Sequence, residues 1–262
     1  MSDPLAFQVR AFNSDDDSEN RIHADGGAGA FGFRGGLVPG VNVYGYLTVP
    51  LVRKFGFEWL DRGHAQVRFL APFYHGDEVH VQAEEDRGTW HSSASVEGSI
   101  RARMTGGLES VHSSAEIHPE LPLPERERRP VIAAELLEPG TVLGALRVAL
   151  PAEQERVLGF QVDPNEVYRG ANAAAHPTLL LGLINRLLTA NFSMPAWIHT
   201  ESELHTGSAA RAAETVSVRG AITARYERKG QEFAVLDAVI LGGDGRLCQQ
   251  VRHTFIYKLR PR

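Results

Sequence analysis

Apolar residues along this chain recur with two different periods, and the periods alternate in the same order twice. From Gly40 onward, Val41, Tyr44, Leu47, Leu51, Val52 and Phe55 fall at helical spacing, and Gly56 stands where a helix C-cap belongs. Pro50 inside that run predicts a kink or a split, because its ring removes a backbone donor. A second helix is expected from Pro177 through Leu188, with Leu180, Leu181, Ile184, Leu187 and Leu188 on one face. Strand-like runs surround both. Leu5–Phe12 opens the chain, and Ala65–Leu70, Glu78–Ala83, Ser93–Arg103 and Leu108–Ile117 follow the first helix, divided at Tyr74-His75-Gly76-Asp77 and Thr105-Gly106-Gly107. Thr141–Leu150 precedes the second helix. After Trp197 the clearest strands are Ile222–Tyr226, Phe233–Leu241 and Leu247–Tyr257, with turns at Arg228-Lys229-Gly230 and Gly242-Gly243-Asp244-Gly245.

Between the two series, Pro119, Pro122, Pro124 and Pro130 bracket Glu125-Arg126-Glu127-Arg128-Arg129, the composition of a stiff exposed linker. The repeat predicts an α+β chain of two halves, residues 1–120 and 131–262, joined by a linker at 121–130. A long apolar helix followed by a curved antiparallel sheet packs economically when the sheet wraps the helix. That is the hotdog arrangement. Pairing two such units covers an open sheet edge, so the expectation is two hotdog halves that pair within one chain, with a further homodimer left open.

Composition narrows the partners. A chain of 262 residues that is 43% hydrophobic can bury a full core. A formal charge of -5, with no basic cluster denser than Arg126-Glu127-Arg128-Arg129, argues against nucleic acid. Met1–Arg10 lacks a basic segment followed by an apolar run, and no stretch approaches the roughly 20 apolar residues of a membrane span. A cytoplasmic protein without a membrane partner is expected. The single cysteine, Cys248, excludes an internal disulfide, and its strand-like setting reads as a buried structural thiol.

The candidate chemistry lies before the first helix. After the acidic run Asp15-Asp16-Asp17-Ser18-Glu19 comes Asn20-Arg21-Ile22-His23-Ala24-Asp25. This segment resembles the Asp-x-Asn-Pro-Ile-His-x-Asp signature of MaoC-like (R)-specific hydratases, with Asn20, Ile22, His23 and Asp25 matching. The resemblance continues through the glycine-rich loop into Gly35-Gly36-Leu37-Val38-Pro39-Gly40, and in Val67-Arg68-Phe69-Leu70-Ala71-Pro72 followed by Gly76-Asp77. Arg252-His253-Thr254-Phe255-Ile256-Tyr257 is similar to the closing strand of many hotdog proteins.

The resemblance implies addition or removal of water across the double bond of an enoyl thioester, carried by CoA or a carrier protein and lying between two halves. An imidazole that titrates near neutrality can take and return the proton. A carboxylate holds the water, and a helix N-terminus donates N–H groups to the thioester oxygen as enolate charge develops. His23 is then the acid/base, Asn20 its orienting neighbour, and Gly40 with Val41 the substrate-binding start of the helix. Three departures bear on this. Ser18 stands where the pattern has its aspartate, Pro39 stands where it has a histidine, and the signature lies in the N-terminal rather than the C-terminal half. A serine is no base at pH 7 unless activated, so either Asp17 or Asp25 serves, or the dehydratase chemistry is lost.

The remaining features are read conservatively. His176 occupies the position equivalent to Pro39, as a helix cap or as a contributor to the site across the interface. His199, Glu201, Glu203 and His205 alternate along one strand, which places all four on one sheet face; a solvated face is preferred there to a metal site. Gly27-Ala28-Gly29-Ala30-Phe31-Gly32 matches the dinucleotide fingerprint in letters but lacks the buried strand before it. Neither metal nor redox cofactor is expected. Two competing functions remain, thioester hydrolysis and non-catalytic binding of an acyl ligand.

Overall fold

The computed structural model describes residues 5–109, 115–153 and 165–260. Its strands are β1 (Leu5–Arg10), β2 (Gly63–Phe69), β3 (Glu78–Asp86), β4 (Thr89–Val96), β5 (Ser99–Leu108), β6 (Leu146–Ala149), β7 (Ile198–Thr206), β8 (Thr215–Arg228), β9 (Gln231–Leu241) and β10 (Leu247–Lys258). All join one antiparallel sheet in the order β1-β3-β4-β5-β2-β7-β10-β9-β8-β6. Read inward from its two edges, the sheet runs 1-3-4-5-2 and 6-8-9-10-7, the same order displaced by five strands. The two series meet where β2 pairs with β7, Val67 opposite Ser202 and Arg68 opposite Glu201.

Tight turns set the register. Arg87-Gly88, Glu97-Gly98 and Lys229-Gly230 each place two consecutive residues at positive φ, the twist that suits a two-residue hairpin. The Glu97-Gly98 turn divides the expected strand Ser93–Arg103 into β4 and β5. The expected turn at Thr105-Gly106-Gly107 is instead the interior of β5, because Gly106 lies against the Ala65 backbone and 3.2 Å, measured from a would-be Cβ, from the Trp59 ring. A strand from Leu108 to Ile117 does not follow: β5 ends at Leu108, and residues 110–114 lie outside those described. Nor is the first series a simple meander, since β2 docks on β5 rather than on β3.

The helices are α1 (Asp25–Gly29), α2 (Gly40–Phe55), α3 (Phe57–Arg62) and α4 (Pro177–Asn191). Helix α2 runs unbroken through Pro50, so of the kink or split expected there the split does not occur, and it ends at Gly56 with φ +56°. It is buried from Val41 through Val52 because the sheet covers one side and α4 the other. The two central helices approach so closely that a Cβ on Gly45 would overlap Thr178 Oγ1. Cys248 is buried, which pushes its thiol up to about 11. None of the described helices is long and apolar enough to cross a membrane.

Candidate active site

His23 ends a 3-10 turn, Arg21–His23, held against the segment that leads into α2. Leu37 N–H bonds to Ile22 O at 2.9 Å, Val38 N–H to Phe73 O at 2.8 Å, and Asn13 Nδ2 to His23 O at 2.7 Å. His23 Nδ1 lies 2.7 Å from the Leu37 carbonyl. A carbonyl only accepts, so Nδ1 carries the proton and Nε2 keeps its lone pair. Among the described residues Nε2 has no hydrogen-bond partner. Burial lowers the His23 pKa, against the Leu37 carbonyl and the charge of Asp15, which raise it. The ring is therefore neutral at pH 7, in the form of a base.

Cavities of about 220, 720 and 570 Å³ converge on His23, which lines each of them. The first is walled by apolar residues, among them Phe69, Phe73, Trp197 and Ile198, with His23, Gly40, Asn185 and His199 facing it. Among the described residues no aspartate or glutamate lines it. Gly40 is the first residue of α2, and a Cβ there would stand 3.1 Å from the Phe69 ring and 3.2 Å from His199 Nδ1. Pro39 O takes the N–H groups of Asn42 and Val43, which leaves those of Gly40 and Val41 as the first-turn donors without a partner among the described residues.

The other predicted residues are more dispersed. The Asn20 side chain bonds to Trp197 rather than to His23, with Nδ2 donating to Trp197 O at 3.0 Å and Oδ1 accepting from Trp197 N–H at 3.2 Å. Its backbone carbonyl receives His23 N–H at 3.1 Å. Asp25 lies on the second cavity, its Oδ1 fixed by Gly36 N–H at 2.6 Å. Asp17 is exposed and Ser18 half-buried on the third cavity, and Ser18 Oγ makes only a long 3.4 Å contact to Asn20 O. Val41 also faces the third cavity. His176 stands apart from the His23 cavities as the N-cap of α4, its Nδ1 accepting Thr178 N–H at 3.2 Å, and burial pushes its pKa down to about 3. The glycine run 27–32 begins in α1, with Gly27 against the Arg21 backbone, and no strand leads into it.

The strand-face quartet needs correction. Partners on β10 step from Glu201↔Thr254 to His199↔Phe255, so Thr200 is the extra residue of a β-bulge. The bulge reverses the phase: His199 turns inward with Ser202 and Leu204, while Glu201 is half-buried and Glu203 exposed on the other face beside His205. Among the described residues no group of three or more histidine, cysteine, aspartate or glutamate side chains is arranged to hold a metal. His199 Nε2 instead lies 2.8 Å from Ser202 Oγ, which lies 3.0 Å from His253 Nδ1. Sequence reasoning also missed Asn185, a residue on the wall shared by the first and third cavities whose buried Oδ1 has no partner among the described residues. Its helical position alone carries no signal, since only packing shows that its side of α4 meets the His23 loop.

No protein-family model matches the sequence, and no curated protein matches it. Solved structures do match. A MaoC-domain protein of Chloroflexus aurantiacus assigned as a dehydratase aligns over 98% of this chain and 95% of its own at 12% identity and a TM-score of 0.68. A conserved Mycobacterium tuberculosis protein with a double hotdog fold aligns over 98% and 96% at 13% identity and a TM-score of 0.68. A Lactobacillus plantarum protein assigned as an oleoyl thioesterase aligns over 98% and 96% at 14% identity and a TM-score of 0.51. At these identities the likeness is one of fold: the chain has the hotdog fold, in the form seen in MaoC-like proteins.

Proposed function

We propose that this protein is an acyl-thioester hydro-lyase that hydrates an enoyl thioester, or dehydrates the 3-hydroxyacyl product, between two hotdog halves formed by residues 1–120 and 131–262. Residues 121–130 link them, and Arg126 and Arg129 of the linker pair with Glu19 at the edge of the third cavity. One observation carries the reading: His23 is buried and neutral, its Nδ1 is occupied by Leu37 O, its Nε2 has no partner among the described residues, and the residue lines a mostly apolar cavity that begins at the first turn of α2. A base that must take a proton from water and return it needs that tautomer and that accessibility.

In the hydration direction, His23 Nε2 takes a proton from water as the water oxygen bonds to the β-carbon. Electrons from the double bond move to the thioester oxygen, where the Gly40 and Val41 N–H groups and the helix dipole stabilise the enolate. The protonated His23 then returns a proton to the α-carbon, which regenerates the base. Asn185 takes the water-holding part, since the family's aspartate is Ser18 here and Asn185, which lines cavities with His23 and Ser18, has an Oδ1 acceptor without a partner among the described residues. Neither Asp17 nor Asp25 lines the first cavity. That same lack of a carboxylate among the described lining residues disfavours thioester hydrolysis, which needs one facing the carbonyl. The carrier of the thioester is CoA or a carrier protein.

Crotonyl-CoA with purified protein tests the proposal, by following enoyl absorbance and free thiol together. Loss of absorbance without thiol supports hydration. Thiol release selects hydrolysis, and silence with retained binding selects an acyl-binding protein; either outcome overturns the hydro-lyase.

A further inference from the structure

We propose that His199 is a second catalytic group of this cavity, a neutral hydrogen-bond donor whose Nδ1–H completes, with the first turn of α2, the pocket that receives the thioester oxygen. Ser202 and His253 are the positioning residues that fix its tautomer. The inference rests on the reading that an acyl thioester occupies the His23 cavity.

Four observations carry it. The bulge at Thr200 turns His199 from the charged face of β7 toward the cavity, and bulges re-aim side chains in this way. His199 Nδ1 faces the start of α2, 3.2 Å from the position of a Cβ on Gly40, so a side chain at position 40 would crowd the imidazole against the helix N-terminus. That nitrogen is buried and has no partner in the protein among the described residues, and a polar atom left so is costly unless something else pairs with it. Behind it lies a chain of buried polar groups, with His199, Ser202 and His253 only 7%, 0% and 0% exposed.

The chain has a direction that suits a carbonyl. If His253 Nδ1–H donates to Ser202 Oγ, the serine hydroxyl is free to donate to His199 Nε2, and the His199 proton must then sit on Nδ1. A thioester oxygen only accepts, so its arrival selects this direction. The ring is clamped as well, 4.0 Å from the His253 ring and 4.8 Å from Phe69. Burial, and then the neighbouring His253, hold the His199 pKa well below its usual value, against the Glu201 main chain, which raises it. A neutral imidazole can polarise a carbonyl without titrating near pH 7. Placing a donor where enolate charge develops is the arrangement that favours the transition state over bound substrate.

The test combines kinetics with labelled histidine. His199→Phe should lower kcat for crotonyl-CoA by about 10²–10³-fold, the loss typical of one such donor, with KM changed far less. His199→Asn, whose side-chain nitrogen can stand where Nδ1 stood, should recover at least part of that loss. In the unaltered protein, the ¹⁵N-imidazole spectrum should place the His199 proton on Nδ1 when saturated with butyryl-CoA, which cannot be hydrated. Ser202→Ala should weaken that preference and lower kcat in step. A His199 proton that stays on Nε2 under saturating butyryl-CoA, or a His199→Phe variant that folds and keeps its parent's kcat, overturns the role of His199 while leaving the hydro-lyase standing. Failure of the unaltered protein to bind butyryl-CoA overturns both.

Discussion

Asn20 and Trp197, 177 positions apart, are joined by two reciprocal hydrogen bonds, side-chain amide to main-chain carbonyl at 3.0 Å and main-chain N–H to side-chain oxygen at 3.2 Å. With Arg21 N–H on Pro195 O at 2.9 Å, they fasten the His23 loop to the start of β7. Asn20 thus orients His23 through the chain it anchors rather than by touching it. Asn20→Ala would leave both buried main-chain groups of Trp197 unpaired, at roughly 1–3 kcal/mol each. The expected result is a fall of about 2–6 kcal/mol in unfolding free energy, read as a lower urea midpoint at unchanged slope. An unchanged midpoint would show that the clamp contributes nothing.

Gly45 and Thr178 set how closely the central helices cross. Alanine at position 45 gains up to about 1 kcal/mol of helix propensity, yet its methyl group would overlap Thr178 Oγ1, a branched side chain with little freedom to move. Overpacking of this kind costs about 1–3 kcal/mol, so Gly45→Ala should destabilise on balance. Removing the obstacle with Thr178→Ala should make the same change less harmful. A double-mutant cycle with no coupling would show that the helices do not meet as described.

What could be read from the sequence follows the range of the interactions. Both central helices declare themselves because a buried stripe at 3.6-residue spacing is a local pattern, and Lys229-Gly230 does so because two residues suffice for the turn. Glu97-Gly98 is an equally tight turn, but the Ser, Val and Ile residues around it read as one continuous strand. Gly106 and Gly107 suggest a turn, whereas at Gly106 the small residue is needed because Trp59 and the adjoining strand leave no room. His23 is legible through its spacing from Asn20. The inward turn of His199 is not, because one extra residue at Thr200 reverses the phase of a strand whose charges otherwise alternate cleanly.

Four buried imidazoles give folding a dependence on pH. Burial pushes His176 and His253 down to about 3, holds His199 well below its usual value, and lowers His23. With folded pKa values below the unfolded one near 6.5, the unfolded chain binds more protons as pH falls, so this stability is complete above about pH 6.5 and is lost below it. Carboxylates such as Glu19, lowered by Arg129 and Arg126, and Glu232, lowered by Lys258 and Tyr257, keep their contribution above the usual 4.5 and lose it only as pH falls from there through their folded values. His205 has the opposite sign: burial opposes its charge, but Glu109 and Glu203 outweigh that and raise its pKa, so its contribution is present below about pH 6.5 and fades as pH rises. Urea titrations from pH 7 to 4.5 should show stability falling, with a slope of about 1.4 kcal/mol per pH unit for each neutral imidazole. A flat profile across that window would mean that these rings are not buried in the native state.

The sharpest expectation concerns the pair formed by His23 and position 18. His23→Ala should reduce turnover by roughly 10²–10⁴-fold, at a stability cost of about 1 kcal/mol for the lost bond to Leu37 O. Because burial lowers its pKa, the acidic limb of the rate profile should fall below the pH of a free imidazole, with the neutral base active above it. Ser18 and His23 line the same cavity, so Ser18→Asp brings in a negative charge that favours the protonated ring. The acidic limb should then move to higher pH, whether or not the new carboxylate also helps to hold water and raises kcat. A limb that stays in place in Ser18→Asp would show that position 18 is out of reach of the base. Hydratase activity left undiminished by His23→Ala would place the chemistry on another residue and make the matched segment a structural loop.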